Sequence, residues 1–398
     1  MHMERRCLRS IGTCLQSWPF LRKKSKSTYP KPNATISPRT PGLKHPVRMK
    51  SLKKEMKSEL QAIDLFSGCG GLSLGLKGAG FTVAAAVEID SKAQQTYRLN
   101  HPNVRLYAED IRKLDPAQML QDAGLEIGGL DLLAGCPPCQ GFSRLRTKNK
   151  MTSVSDERND LVEDFFRFIE VMRPKTVMLE NVPALAKDPR FLSMQVKLTE
   201  LGYETVVHVL DAADYSVPQR RKRLIMLASR VHMPAIAEKA NKRVTVRQAL
   251  KGMAEPGQRR DKLHGLGENR SQKVRDLIAL IPKDGGSRSD LPTKYQLDCH
   301  KRTDGFSDVY GRLAWDDVSP TITSGCHNPS KGRFLHPGQD RTISLREAAV
   351  LQGFPRSYKF DVAHGKESIA LMIGNALPPP FITAHADALR AGLVGIEA

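Results

Sequence analysis

Leu130-Asp131-Leu132-Leu133-Ala134-Gly135-Cys136-Pro137-Pro138-Cys139-Gln140-Gly141-Phe142-Ser143 decides the fold. Its first five residues are an apolar run of strand length, and the glycine and prolines behind them turn the chain out of a sheet edge. Ligands of open α/β sheets gather at the carboxyl ends of strands, so this turn sets two cysteines where ligands bind. Working outward, short apolar runs at 62–66, 82–88, 104–109, 130–134, 176–179, 205–210 and 223–228 alternate with helical stretches at 72–77, 92–99 and Leu161–Met172. The last of these sets Leu161, Phe165, Phe168, Ile169 and Met172 on one face. The rhythm predicts a doubly wound α/β sheet of seven strands. After residue 229 it is lost in a region rich in Gly, Pro and charge, and a helix at Leu345–Leu351 and an amphipathic helix to about residue 393 close the chain.

At 398 residues and a mean hydropathy of −0.39 the composition is globular. No apolar run approaches the roughly 18 residues a membrane span requires. The 7 cysteines are few and odd in number, which argues against a disulfide framework and for a reducing compartment. The net charge of +20 is unevenly spread. Residues 1–60 hold 15 Lys+Arg against 3 Asp+Glu, and residues 226–340 hold 20 against 13, so the remainder is nearly neutral. A near-neutral body with basic segments suits a polyanion-binding enzyme, although solvated surface explains charge alone as well. Residues 1–57 lack periodicity and are expected to be disordered or loosely attached. They read as a nucleic-acid-binding arm, an organelle transit peptide or an over-long reading frame starting at Met49 or Met56.

Asp64-Leu65-Phe66-Ser67-Gly68-Cys69-Gly70-Gly71 puts a glycine turn between the first strand and its helix, suited to close approach of a cofactor or simply to tight packing. It lacks the Gly-Lys-Ser/Thr of a phosphate loop, and Ser73 stands where a dinucleotide fingerprint needs its third glycine. Glu88 ends the second strand, where a carboxylate can take ribose hydroxyls, and Asp110 ends the third. Together these strand ends favour an adenosine-type ligand with no requirement for phosphate. Cys136 and Cys139 have the spacing of half a zinc site, a redox pair or a nucleophile with its neighbour. Zinc would need two more ligands, and Cys299-His300 and Cys326-His327 stand isolated. Glu180 at the end of the fifth strand is either solvated or faces Cys139. Gln219, Arg221 and Arg223 share one side of an extended segment, as a solvent-facing run or as a clamp for an anion or carbonyl.

Taken together, the Asp64 to Gly71 loop, Gly135 to Ser143, Glu180-Asn181-Val182, Gln219 to Arg223, Arg346-Glu347 with Leu351-Gln352-Gly353-Phe354-Pro355, and Gly374-Asn375-Ala376-Leu377-Pro378-Pro379 resemble the ordered motifs of DNA (cytosine-5) methyltransferases. The resemblance covers residues 61 to about 392. It implies a mixed, Rossmann-like sheet of the S-adenosylmethionine-dependent type with a smaller, irregular target-recognition domain. The catalytic domain would run over 58–229, target recognition over 230–340 and the returning C-terminal motifs over 341–398, with 1–57 matching nothing in the family core.

The resemblance also implies roles. S-adenosylmethionine would lie against Asp64, Phe66, Ser67, Gly68, Gly70, Gly71, Glu88, Ile89, Asp110, Ile111, Pro138, Asn375 and Ala376. Phe66 would stack on the adenine, Glu88 hold the ribose, Asp110 meet the adenine edge and Asn375 close the pocket. Cys139 would attack C6 of a flipped-out cytosine while Glu180 binds N3 and the exocyclic amine. Arg223 and Arg221 would hold O2, with Gln219 in the same catalytic group, and no metal is implied. Cys136 is expected only to pack. Gln140, Ser143, Arg144, Arg259, Arg260, Arg312, Lys331 and Arg333 are expected to touch DNA, mostly at phosphates. The expected partner is duplex DNA, with a cognate restriction endonuclease in function, for a monomeric bacterial or phage-type enzyme in the cytoplasm at the nucleoid. A transfer RNA substrate is the nearest alternative, and a DNA-binding protein with an inactive methyltransferase fold a more distant one.

Overall fold

Seven strands form one sheet: β1 Gln61–Leu65, β2 Thr82–Val87, β3 Arg105–Tyr107, β4 Leu132–Gly135, β5 Thr176–Asn181, β6 Glu204–Asp211 and β7 Lys222–Ser229. Their order is β3-β2-β1-β4-β5-β7-β6. The first five run parallel, and β7 is antiparallel to both β5 and β6. The computed structural model describes residues 59–138, 161–258, 260–296 and 308–396. The expectations for the N-terminal tail, for Cys139, Gln140, Ser143 and Arg144, and for Arg259 lie outside the described residues.

Strands buried on both faces need apolar side chains at successive positions, which is how the central runs read. One face sets Ile63, Leu65, Leu133, Val177, Leu179 and Met226 against Phe165, Phe168, Ile169 and Met172 of the helix Leu161–Met172. The other sets Ala62, Leu132, Ala134, Met178, Ile225 and Leu227 toward Leu72 and Leu76 of the helix Gly71–Gly78 and toward Phe381, Ile382, Ala386 and Leu389 of the helix Pro379–Ile396. The C-terminal segment therefore completes the core begun by the first motifs. Gly135 closes β4 where a Cβ would lie 2.7 Å from the Phe165 ring and 3.0 Å from the Leu65 carbonyl oxygen. Only glycine lets the turn start this close to the sheet.

Beyond the sequence expectation are helices at Pro116–Asp122, Pro189–Glu200 and Gly365–Asn375. The first two begin with an Asp-Pro pair: Asp115 and Asp188 accept from the amides of Ala117 and Arg190, and proline fills the first turn. Between β7 and residue 340 the described chain holds two short α-helices, Val246–Leu250 and Gln272–Leu280, with brief 3-10 turns and isolated bridges. Val246, Leu250, Leu313 and Ile322 pack with Leu345, Leu351 and Ile373, tying this irregular region to the C-terminal motifs.

Arg312, expected to touch DNA, is fully buried in that region. Its guanidinium donates to the carbonyls of Ile281 at 3.0 Å, His336 at 3.0 Å and Ile278 at 2.7 Å, and pairs with Asp340. Five fixed donors that find carbonyls on several turns make it a cross-brace for a segment poor in regular structure. Arg333 is also largely spent, donating to Gly285 at 2.8 Å and Arg312 at 3.0 Å and pairing with Asp308. Arg260 and Lys331 are exposed, as a phosphate contact requires.

Candidate active site

The carboxyl ends of β1, β2 and β3 build one half of the site. Behind β1, Phe66 takes φ 62°, Gly68 56° and Gly70 97°, so the loop folds back over the strand ends before the helix Gly71–Gly78 begins. At Gly70 a Cβ would fall 2.5 Å from His101 Nε2 and 2.6 Å from Tyr358 Oη, and at Gly71 2.6 Å from the Leu377 carbonyl oxygen. Gly68, by contrast, has nothing within 4 Å of a Cβ, which leaves an open cradle beside the loop. Ser67 is buried and bonds the Val87 carbonyl at 3.3 Å.

Glu88 binds both sides of this cradle. Its carboxylate accepts from the Gly68 amide at 2.7 Å and the Asp90 amide at 2.7 Å, and burial pushes its proton affinity up. Next to it Ile89 is 65% exposed, an apolar side chain without cover. Asp110 caps a turn that buries Ile111, and Arg112 grips it with Nε at 3.0 Å and Nη2 at 2.6 Å, which holds its carboxyl below the usual range. An open glycine cradle, a carboxylate, a bare apolar side chain and no cationic phosphate loop fit the adenosine and sulfonium character of S-adenosylmethionine. Asn375 is exposed at the end of the helix Gly365–Asn375, and Ala376 is half-buried behind it.

Asp64 lies beneath the loop rather than in the cradle. It is fully buried, with Oδ2 accepting from Ser73 Oγ at 2.6 Å, and Ser73 meets Tyr97 Oη at 2.6 Å. Burial pushes the Asp64 carboxyl from 3.8 up to about 7. A raised folded value means that its contribution to stability is fully present below 3.8 and is lost as pH rises through about 7. Asp64→Asn keeps an acceptor for Ser73 and is expected to raise the melting temperature at pH 8, with the gain vanishing below pH 4. Thermal unfolding across that range checks it, and an unchanged or lower melting temperature at pH 8 contradicts it.

The other half of the site comes from β4, β5 and β7. Parallel register pairs Gly135 with Leu179, so Cys136 and Glu180 follow as neighbours beyond the last pair. Side chains alternate along a strand, and Ala134, Met178 and Ile225 lie in the cluster on the Pro379–Ile396 side. Cys136, Glu180 and Arg223, each two residues along, continue that face. Glu180 is 1% exposed, with Arg223 Nε 3.0 Å from Oε1 and Cys136 Sγ donating to Oε2 at 3.0 Å. Arg223 is not aligned as a hydrogen-bond donor, so Oε1 has no hydrogen-bond partner among the described residues. Arg221 is buried beside them; its guanidinium donates to the carbonyls of Ile322 at 3.1 Å and Gly374 at 2.9 Å and leaves Nε unpartnered.

Gln219 departs from its expected catalytic place. It is fully buried and its amide is consumed: Nε2 donates to the Leu351 carbonyl at 3.0 Å and Gln352 Oε1 at 2.6 Å, and Oε1 accepts from the Ile322 amide at 2.9 Å. Gln352 donates in turn to the Ala376 carbonyl. Gln219 therefore holds the C-terminal motifs to the start of β7. Two further positioning residues carried no sequence expectation. Asn181 Nδ2 donates to the Pro137 carbonyl at 2.8 Å, fixing the turn that contains Pro138. Tyr358 donates to the Cys69 carbonyl at 2.6 Å beneath the glycine loop.

A mixed seven-stranded sheet with an open glycine cradle and a carboxylate at one set of strand ends and a thiol, carboxylate and two guanidinium groups at the next is the arrangement of an α/β methyltransferase. The family model for C-5 cytosine-specific DNA methylases matches residues 60–391. Type II methylase M.HgiDII of Herpetosiphon aurantiacus is 33% identical over 84% of this chain and 96% of its own. DNA (cytosine-5)-methyltransferase 3 of Arabidopsis thaliana is 28% identical over 84% of this chain and 31% of its own. Among solved structures, a protein described as a DNA modification methyltransferase encoded within an E. coli prophage superposes with a TM-score of 0.66 at 25% identity, over 84% of this chain and 99% of its own. The chain belongs to the C-5 cytosine-specific DNA methylase family and is an enzyme of the DNA (cytosine-5-)-methyltransferase class. The family and its fold depend in general on S-adenosylmethionine. No helix among the described residues is long and apolar enough to cross a membrane.

Proposed function

We propose that this chain methylates C5 of cytosine in a specific duplex DNA site, through a covalent bond between Cys139 and C6 of the flipped-out base. The observation that carries the proposal is the buried Glu180 with a free acceptor lobe on Oε1, backed by Arg223 and Arg221 and set one residue from the turn that leads to Cys139. Cytosine C5 is a weak carbon nucleophile, so Cys139 Sγ adds to C6 first. Glu180, carrying a proton when the base is bound, gives it to N3 as charge develops on the ring and takes it back when the adduct collapses, while Arg223 and Arg221 hold O2. S-adenosylmethionine, when bound beside Glu88, Ile89 and Phe66, supplies the methyl group that C5 accepts. Loss of the C5 proton and expulsion of Cys139 Sγ then restore the aromatic ring. A stacked duplex hides these atoms, so the base must leave the helix at a cost of a few kcal/mol.

Duplex DNA is favoured over transfer RNA by residues 226–340, whose 20 basic and 13 acidic residues supply a basic recognition segment large enough for a groove. A pairing with a restriction endonuclease follows from the Type II relatives, and a monomer in the bacterial cytoplasm completes the proposal. Transfer of tritiated methyl groups is expected to label duplex DNA and leave transfer RNA unlabelled. Labelling of transfer RNA alone would overturn the substrate assignment.

A further inference from the structure

Cys136 does more than pack. It follows β4 as Glu180 follows Leu179 on β5, and its thiol donates to Glu180 Oε2 at 3.0 Å while Arg223 Nε stands 3.0 Å from the opposite oxygen. Nothing about this turn requires a polar side chain. Gly135 sets its approach to the sheet, and Asn181 ties Pro137 from the other side. A buried carboxylate held at one oxygen only is free to rotate about its last bond, and a glutamate that rotates presents its free lobe in the wrong direction. Two contacts on opposite oxygens remove that freedom.

Resting on the assignment of Glu180 to cytosine N3, we propose that Cys136 is a positioning residue: its thiol pins Glu180 Oε2 so that the unpartnered lobe of Oε1 stays directed at the ring nitrogen. The thiol suits this place because it remains a donor. Burial and the adjacent Glu180 carboxylate push its proton affinity well above the ordinary thiol range, so it neither adds a second negative charge nor competes as a nucleophile. The four polar side chains then carry two guanidinium charges against one carboxylate, which leaves the pocket net positive where the O2 atom of the ring gains electron density.

Cys136→Ala removes the donor and is expected to lower kcat about 10-fold, about 1.4 kcal/mol of barrier, with the Kd for S-adenosylmethionine and the KM for duplex DNA unchanged. Cys136→Ser restores a donor on the same stem and is expected to recover most of kcat. In a Glu180→Gln background the alanine substitution is expected to add no further loss, because the group it positions is already gone. A full 10-fold loss in that background, or a Cys136→Ser protein as slow as Cys136→Ala, would overturn the positioning role. Should Glu180→Gln alone keep full activity, the assignment of Glu180 itself is what fails, and the cycle separates the two.

Discussion

Protein carrying Cys139→Ser is expected to transfer no measurable tritiated methyl to duplex DNA and to form no covalent complex with 5-fluorocytosine DNA, while binding S-adenosylmethionine normally. A serine hydroxyl is not ionised near neutral pH and adds to an unactivated ring far more slowly than a thiolate, so the loss should exceed about 1000-fold. The turn as far as Pro138 is tightly held: a Cβ at Gly135 would meet the Phe165 ring, Asn181 holds the Pro137 carbonyl, and two prolines stiffen the chain. Fluorine at C5 cannot leave as a proton does, and a thioether at C6 therefore persists in the wild type. Trapping by the serine protein would remove Cys139 from the nucleophile's place.

Glu180→Gln is expected to cut kcat by about 100- to 1000-fold with little change in cofactor affinity. The amide keeps the shape but shares no proton with N3. It also strips the charge that faces Arg223 in a site where Glu180 is 1% exposed, so a lower melting temperature should accompany the kinetic loss. Single-turnover methylation beside equilibrium binding of S-adenosylmethionine measures both. Equal losses in the two would place Glu180 in the cofactor half of the site instead.

The parallel half of the sheet was legible because strands buried on both faces are near-continuous apolar runs, and Leu132 to Ala134 or Val177 to Leu179 can be little else. Helices at Pro116–Asp122 and Pro189–Glu200 announce themselves only through an Asp-Pro start, a signal the apolar periodicity does not carry. Glu88 stood out because a carboxylate at a strand end can take ribose hydroxyls, and Glu180 because its motif takes its place in the order that resembles DNA (cytosine-5) methyltransferases. What sequence cannot show is how a polar side chain spends its hydrogen bonds. Arg312 stood in a basic segment expected to meet DNA, and Gln219 in a motif whose resemblance implied a catalytic place, yet backbone and side-chain groups of distant turns consume both. Cys136 packs against the core as expected, and its contact with Glu180 depends on the register between β4 and β5, which no spacing within one motif reveals.

Bisulfite sequencing of DNA from cells that express the chain, beside cells that express the Cys139→Ser form, tests the central claim most directly. Protected cytosines confined to one short duplex sequence, present with the wild type and absent with the variant, are the predicted result. Full conversion of every cytosine by a folded wild-type protein that binds S-adenosylmethionine would contradict it.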